Sequence, residues 1–344
     1  MGTQELYGVT AELVQSKAST PVDTATKIYY FVNAEIADGM KELQADDVTA
    51  SGIPAVDIAN LNLAFKTGIK SIIVVGKPAD GGVDPFIKAM NNAPSVTNIL
   101  TCGAGTHELD DRILGLCENA SDMKSYAILG ISSESGKHSQ EYVTDVISEG
   151  VDSMQIGAVA VYRAALQALS DAEYNCPARV GGNLSAPDIK ATMSIARGNE
   201  LSNDGICSYI NRRGHIVTWG DHTAAFNGGS VTDERGRFEN TSRVLRMICN
   251  RFIVKYENAV DTPMTVQMRN DIIAEQTLYM QSLKAQGAII GEPRCTFELI
   301  DNPADELALG HFVWQIDATT AVPAKYLKAK VRYTSEGLSV YTAE

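Results

Sequence analysis

Two hydrophobic patterns alternate along the first half of this chain. Short runs rich in β-branched residues, typical of buried strands, are separated by longer segments of helical period. The strand-like runs cover residues 27–32, 71–75, 96–101 and 126–131. The helix-like segments cover residues 55–65, a segment opening at Asp84-Pro85, and residues 108–119, 138–149 and 156–169. This alternation predicts an α/β layer with a largely parallel sheet.

The second half has a different pattern. A strand-like run at residues 215–220 is followed by a turn-rich stretch that contains Gly228-Gly229. Two helical segments, 241–256 and 263–286, and two strand-like runs, 295–299 and 312–317, come next. Because residues 177–187 have the composition of a linker, we expect an α/β domain over 21–200 and an α+β domain over 201–322.

Both ends of the chain alternate between apolar and polar positions, as half-buried strands do. In the C-terminal arm (323–344) the apolar positions are Leu327, Ala329, Val331 and Tyr333, and the opposite face carries Lys328, Lys330 and Arg332. In the N-terminal arm (1–20) the apolar positions are Tyr7, Val9, Ala11 and Leu13. These strands either form edges of the chain's own sheet or pair with other copies of the chain.

Composition indicates a globular protein and excludes several classes. Of the 344 residues, 44% are hydrophobic and 21% are charged, which argues against a disordered or collagenous chain. The formal net charge of −13 argues against a general nucleic-acid binder, because phosphate neutralisation needs a basic surface. With no apolar run long enough to span a membrane and no leader-like start, we expect a protein made in a cytoplasm.

Motifs for catalysis or cofactor binding are weak. Gly103-Ala104-Gly105 follows a predicted strand, where backbone N–H groups could hold a phosphate, but Glu108 stands where a dinucleotide fingerprint has its third glycine. Asp221 and His222 lack a spaced third partner for a metal or catalytic site. The six cysteines are widely spaced, which indicates buried thiols. We therefore expect no metal or cofactor, and a cytoplasmic α/β enzyme binding a nucleotide at Gly103–Gly105 is the alternative function.

One helical segment is basic against the acidic background. It carries Arg243, Arg246, Arg251 and Lys255, and Arg243, Arg251 and Lys255 share a face at offsets of eight and four. This face is either solvated or a docking surface for an acidic partner.

The order of motifs in the second half resembles the C-terminal domain of contractile phage tail sheath proteins. The matching segments are Gly214-His215-Ile216-Val217-Thr218-Trp219-Gly220, Thr241-Ser242-Arg243-Val244-Leu245-Arg246, Leu283 to Gly291, Cys295 to Asn302, and Ala321 to Leu327. The resemblance covers roughly residue 201 to the end. It departs from the family at Asp221-His222-Thr223, where a basic Arg-Thr segment usually follows Trp-Gly, and at Lys255 to Asn258.

This resemblance implies a structural protein that is not an enzyme and needs no cofactor. Copies would form stacked hexameric rings around a tail tube and contract to drive the tube through the host envelope. The implied partners are further copies of the chain, the tail tube protein, and baseplate and neck proteins, without nucleic acid or membrane insertion. The implied location is the virion tail, assembled in the host bacterial cytoplasm. A tube or baseplate subunit also assembles, but the α/β first half and the chain length favour a sheath.

The resemblance also gives the terminal arms and the basic helix roles. The arms would complete the sheets of neighbouring subunits by strand addition, which buries the alternating apolar positions. Arg243, Arg246, Arg251 and Lys255 would face the tail tube.

Overall fold

The computed structural model describes residues 25–50, 52–78, 82–103, 107–119, 123–151, 155–179 and 181–341. The predicted N-terminal arm residues Tyr7, Val9, Ala11 and Leu13 lie outside these ranges, so the structure does not test their assignment.

An eight-stranded mixed sheet forms the centre of the fold. Its strands in chain order are β1 (Lys27–Phe31), β2 (Met40–Leu43), β3 (Ile72–Val75), β4 (Asn98–Cys102), β5 (Tyr126–Ile131), β6 (Val143–Ile147), β7 (Ile206–Arg212) and β8 (His215–Trp219). Their spatial order is β2-β3-β1-β4-β5-β6-β7-β8. The six inner strands run parallel, and β2 and β8 are antiparallel edges. The predicted α/β layer with a largely parallel sheet is confirmed.

Eight α-helices accompany the strands within the described ranges. They are α1 (Ala55–Phe65), α2 (Pro85–Asn92), α3 (His107–Asn119), α4 (Ile156–Tyr174), α5 (Ile195–Asn203), α6 (Glu239–Tyr256), α7 (Val266–Ala285) and α8 (Ala304–Ala308). The start of α2 is set by its local sequence, because the side chain of Asp84 caps the helix by accepting a hydrogen bond from the Phe86 N–H at 2.9 Å. Pro85 suits the first helical position because it needs no hydrogen-bond acceptor there. None of these helices has the length and apolarity needed to cross a membrane.

A second, smaller core lies in the C-terminal part. Two antiparallel strands, β9 (Ile289–Thr296) and β10 (Gln315–Thr320), form a separate sheet that contacts α6 and α7. Val244, Met247, Met280 and Leu283 from the helices pack with Ile289 and Cys295 of β9. This is the expected α+β arrangement, with the strands shifted by several residues from their predicted bounds.

One predicted helix is a strand. The segment 138–149 contains β6, whose five residues are all buried between β5 and β7. A strand covered on both faces has no alternation of apolar and polar residues, so its pattern over a short run is not distinguished from that of a buried helix.

The predicted division at residue 200 also differs from the structure. β7 and β8 follow that point but join the same sheet as β6. The expected linker at 177–187 packs against the body, because the Gly181 carbonyl accepts hydrogen bonds from Arg163 at 3.0 Å and from Thr218. The sheet therefore continues across the expected boundary.

Candidate functional site

Arg243, predicted to face a partner, lies inside the protein. Its residue is 2% exposed, and its guanidinium forms an ion pair with Asp171 and lies 3.8 Å from Glu239. Burial lowers the pKa of Arg243, but the charge of Asp171, its hydrogen bond and the charge of Glu239 together outweigh burial and raise the pKa. Arg243 is therefore paired with buried carboxylates and does not reach the surface of the described subunit, and its contact with a tail tube stays a prediction.

The buried cluster extends from α6 onto α4. Arg163 donates to Glu239 at 2.9 Å, and Thr144 donates to the same carboxylate oxygen at 3.1 Å. Asp171 accepts hydrogen bonds from Gln167 at 2.9 Å and from Thr26 at 2.6 Å. Because removing one member leaves another charge unpaired in a dry interior, this cluster fixes α6 against α4 and the sheet.

Sequence reasoning missed the partners of Arg243. One signal for Glu239 was available, because Glu239 also pairs with Arg163. Arg163 stands among alanine, valine and leucine residues in α4. A charge in an otherwise apolar, buried helix requires a partner of opposite sign. The sequence does not say which helix supplies it.

The other three basic residues are half-buried and contact the chain's own side chains. Arg246 lies 4.8 Å from the Tyr142 ring centre, and Arg251 lies 3.8 Å from that of Tyr279. Arg251 also donates to Gln276 at 3.0 Å, and Lys255 lies 3.6 Å from Glu275 on α7. Tube contact by Arg246, Arg251 and Lys255 stays a prediction, and Arg251 and Lys255 point toward α7.

The first turn of α4 packs closely against Gly103, the first residue of the loop expected to hold a nucleotide. In sheets of this kind ligands bind where the strand order reverses, here at the carboxyl ends of β1 and β4. A Cβ atom on Gly157, in the first turn of α4, would lie 1.3 Å from the carbonyl oxygen of Gly103. Asp57 also lies against Gly103, and burial raises the pKa of its carboxyl. Ala104 and Gly105 lie outside the described residues, and at Gly103 itself α4 and Asp57 are in close contact with the backbone.

Replacing Gly157 with alanine tests this contact. We expect Gly157→Ala to lower the free energy of unfolding by about 2 to 3 kcal/mol, because the new methyl group meets backbone that cannot rotate away. Gly115→Ala in α3 is the matched control, since nothing lies within 4 Å of its Cβ position. There the gain in helix propensity should raise stability by about 0.5 to 1 kcal/mol. Urea unfolding of both variants measures the difference, and equal midpoints would show that α4 does not press on Gly103.

The C-terminal arm is exposed along its described length and pairs with no strand of the described chain. The side chains of Leu327, Val331 and Tyr333 are 86%, 93% and 85% exposed, and Ala329 is exposed as well. Residues 321–334 have no strand pairing, and a short 3₁₀ turn covers Glu336–Tyr341. The predicted strand does not form within the described chain, because a strand needs a neighbour to take up its backbone hydrogen bonds.

The β9–β10 sheet has edges that are unpaired in the described chain and that could receive a strand such as this arm. It has only two strands, so each presents an edge that no strand of the described chain takes up. Its inner face carries Ile289 and Cys295 of β9 and Thr320 of β10, whereas Ile290, Arg294 and Asp317 are exposed. A two-stranded sheet of this kind can accept added strands at both edges.

Comparison with known proteins gives a coherent result. Residues 231–334 match the family model described as the phage tail sheath C-terminal domain. The chain is 27% identical over 199 residues to a putative prophage major tail sheath protein of Pseudomonas aeruginosa (strain UCBPP-PA14), which covers 52% of this chain and 47% of that protein. It is 27% identical over 139 residues to the tail sheath protein of Escherichia phage P2, which covers 40% of this chain and 33% of that protein. The chain thus spans less than half the length of these relatives.

Solved structures share the fold. A chain from the baseplate of the anti-feeding prophage superposes with a TM-score of 0.70 at 16% identity, covering 96% of this chain and 100% of that one. A chain from the sheath complex of an extracellular contractile injection system, PVC, in its contracted state superposes with a TM-score of 0.69 at 12% identity, covering 98% and 100%. The matched relatives are named as structural sheath proteins, not as enzymes.

Proposed function

We propose that this chain is a structural subunit of a contractile tail sheath. Its C-terminal third matches the sheath domain model, and its fold is that of chains from contractile injection particles. In this proposal, copies associate as stacked hexameric rings around a tail tube. The stack then shortens and drives the tube through the host envelope, without a cofactor.

The exposed C-terminal arm is the observation that supports assembly most strongly. Four large apolar side chains between Tyr326 and Tyr333 lie in water, which costs free energy that burial against a partner would recover. The β9–β10 sheet of a second copy offers unpaired edges for the same stretch. Strand addition would bury the apolar side chains of the arm and pair the free edge of the sheet in one step. Main-chain hydrogen bonds would join the two strands, and alternate side chains would make the contact specific.

The rigid body beside the arm supports a mechanism for contraction. Buried ion pairs join α6 to α4, and in this proposal they keep the described body together as it moves. Arms that stay paired can therefore connect bodies that rotate and repack between two arrangements. The driving free energy then comes from the contacts between bodies.

The remaining partners follow from the same proposal. They are the tail tube protein and the baseplate and neck proteins of a phage or phage-like tail particle. Assembly takes place in the bacterial cytoplasm.

Negative-stain imaging of the purified protein tests the proposal. We expect ring-shaped particles or tubes that increase with protein concentration. Particles that remain single subunits at every concentration, with and without tube protein, would contradict it. Thermal unfolding with a panel of nucleotides is the companion measurement, because stabilisation by a nucleotide would instead favour the enzyme alternative.

A further inference from the structure

The root of the C-terminal arm is held to the body by an ion pair. The ammonium group of Lys325 contacts the carboxylate of Asp221, whose side chain is 10% exposed, whereas that of Lys325 is 42% exposed. The acceptor is thus buried and the donor lies on the arm. An ion pair with one buried member is screened less by water than an ordinary surface pair.

Asp221 is itself held firmly. It follows β8, and its backbone carbonyl accepts a hydrogen bond from the Glu239 N–H at 3.0 Å. The next residue, His222, stacks on the Phe226 ring with centroids 3.7 Å apart, and its Nδ1 donates a hydrogen bond to the Ser202 carbonyl at 2.9 Å. Asp221 therefore offers Lys325 a carboxylate at a fixed place.

The arm has few other attachments. Ala321 bonds to the body through its backbone, donating to the Ala288 carbonyl at 3.0 Å and accepting from Asn240 at 2.7 Å. Within the described chain, Lys325 forms the hydrogen bond and ion pair that join the segment from Val322 to Tyr333 to the body. The direction of the arm beyond Ala321 thus depends on Lys325.

A cleft lies beneath this first part of the arm. It has a volume of about 1100 Å³ and lies between the arm root, Ala321 to Lys325 with Leu327, and body residues that include Trp219, Asn199 and Arg212. From residue 322 to 333 every residue except Pro323 is exposed, so close packing contributes little to the course of the arm. The ion pair between Lys325 and Asp221 fixes the course of the arm at one point.

The sequence around Asp221 suits this role. The Nδ1 of His222 lies 3.8 Å from the Asp221 carboxylate, which is too far for a hydrogen bond. Burial, and then the charge of Lys325, lower the pKa of His222. A neutral His222 leaves the Asp221 carboxylate to Lys325.

We propose that Asp221, through its ion pair with Lys325, is the positioning residue that aims the C-terminal arm before a neighbouring subunit receives it. This inference rests on the proposed function, since it gives the arm a direction for strand addition. An arm that is already aimed loses less conformational freedom when it binds, which favours association. A free arm would search a larger volume and associate more weakly.

Distance measurement between spin labels in the dilute subunit tests the aim of the arm directly. Labels at Lys330→Cys on the arm and Val260→Cys on the body, in a Cys249→Ser background that removes the exposed native thiol, report the arm position. We expect a single narrow distance distribution in the parent protein. Lys325→Met and Asp221→Asn should broaden it at least twofold, and Lys325→Arg should keep it narrow. Lys328→Met is the matched control, because Lys328 has no ion pair in the described chain and its loss should change nothing.

Assembly of the unlabelled variants provides the second readout. We expect Lys325→Met and Asp221→Asn to raise the protein concentration needed for assembly about tenfold, the size expected for a lost charged hydrogen bond, and Lys325→Arg to restore it. A distribution that stays narrow in Lys325→Met would overturn the proposal, as would a broadened arm with unchanged assembly. If the parent protein never assembles, the proposed function fails while the distance measurement still decides whether Asp221 aims the arm.

Discussion

Removal of residues 326–344 is expected to abolish polymerisation while changing the thermal midpoint of the subunit by no more than about 2 °C. The deleted segment forms no strand pairing and leaves Leu327, Val331 and Tyr333 in water, so its loss removes little from the folded body. In an assembly the same segment would add backbone hydrogen bonds worth about 1 kcal/mol each and bury side chains worth about 2 kcal/mol each. Losing that sum at every contact should prevent stacking.

Sedimentation and negative-stain imaging measure this result, and circular dichroism melting shows that the truncated subunit is folded. A paired substitution then separates the two faces of the arm. Serine at Leu327 and Val331 should prevent assembly, because that face is predicted to be buried, whereas serine at Lys328 and Lys330 should reduce it only slightly. Rings or tubes formed normally by the truncated chain would refute strand donation by this arm.

The sequence was sufficient for the parts of the fold in which local pattern and burial agree. The pattern over residues 55–65 predicts the helix that α1 forms, and the Asp84-Pro85 start of α2 depends on a side-chain cap and a proline that act locally. β6 was missed because Val143–Ile147 is covered on both faces and therefore shows no alternation. The sheet was extended past residue 200 by strand pairing between distant segments, which a local pattern does not contain.

The candidate site shows the same limit. Helical spacing predicts that Arg243, Arg251 and Lys255 share a face of a helix, but spacing does not say which element packs against each of them. The structure places α4 with Asp171 opposite Arg243, and α7 with Glu275 opposite Lys255. Alternation likewise predicted a strand in the C-terminal arm, although the strand requires a partner that a single chain does not supply.

Replacing Arg243 with methionine is expected to lower the free energy of unfolding by about 3 to 5 kcal/mol. Methionine fills much of the space but leaves Asp171 without its cation, and Glu239 then has only Arg163 as a charged partner. An uncompensated charge in a buried site costs this much because water is not available to solvate it. Urea unfolding of the purified subunit, with the Arg243→Met midpoint compared with that of the parent, gives the value.

The matched control is Arg246→Met, the same change one turn along α6. Arg246 lies over the Tyr142 ring and 3.8 Å from Glu141 at a partly exposed position, so we expect a loss of about 1 kcal/mol. Adding Asp171→Leu to Arg243→Met should recover part of the lost stability, because both members of the pair are then gone. A tube-facing Arg243 would give the opposite outcome: unchanged stability for Arg243→Met, together with weaker assembly on the tube. The two measurements together therefore decide whether α6 uses this arginine to hold the body together or to contact a partner.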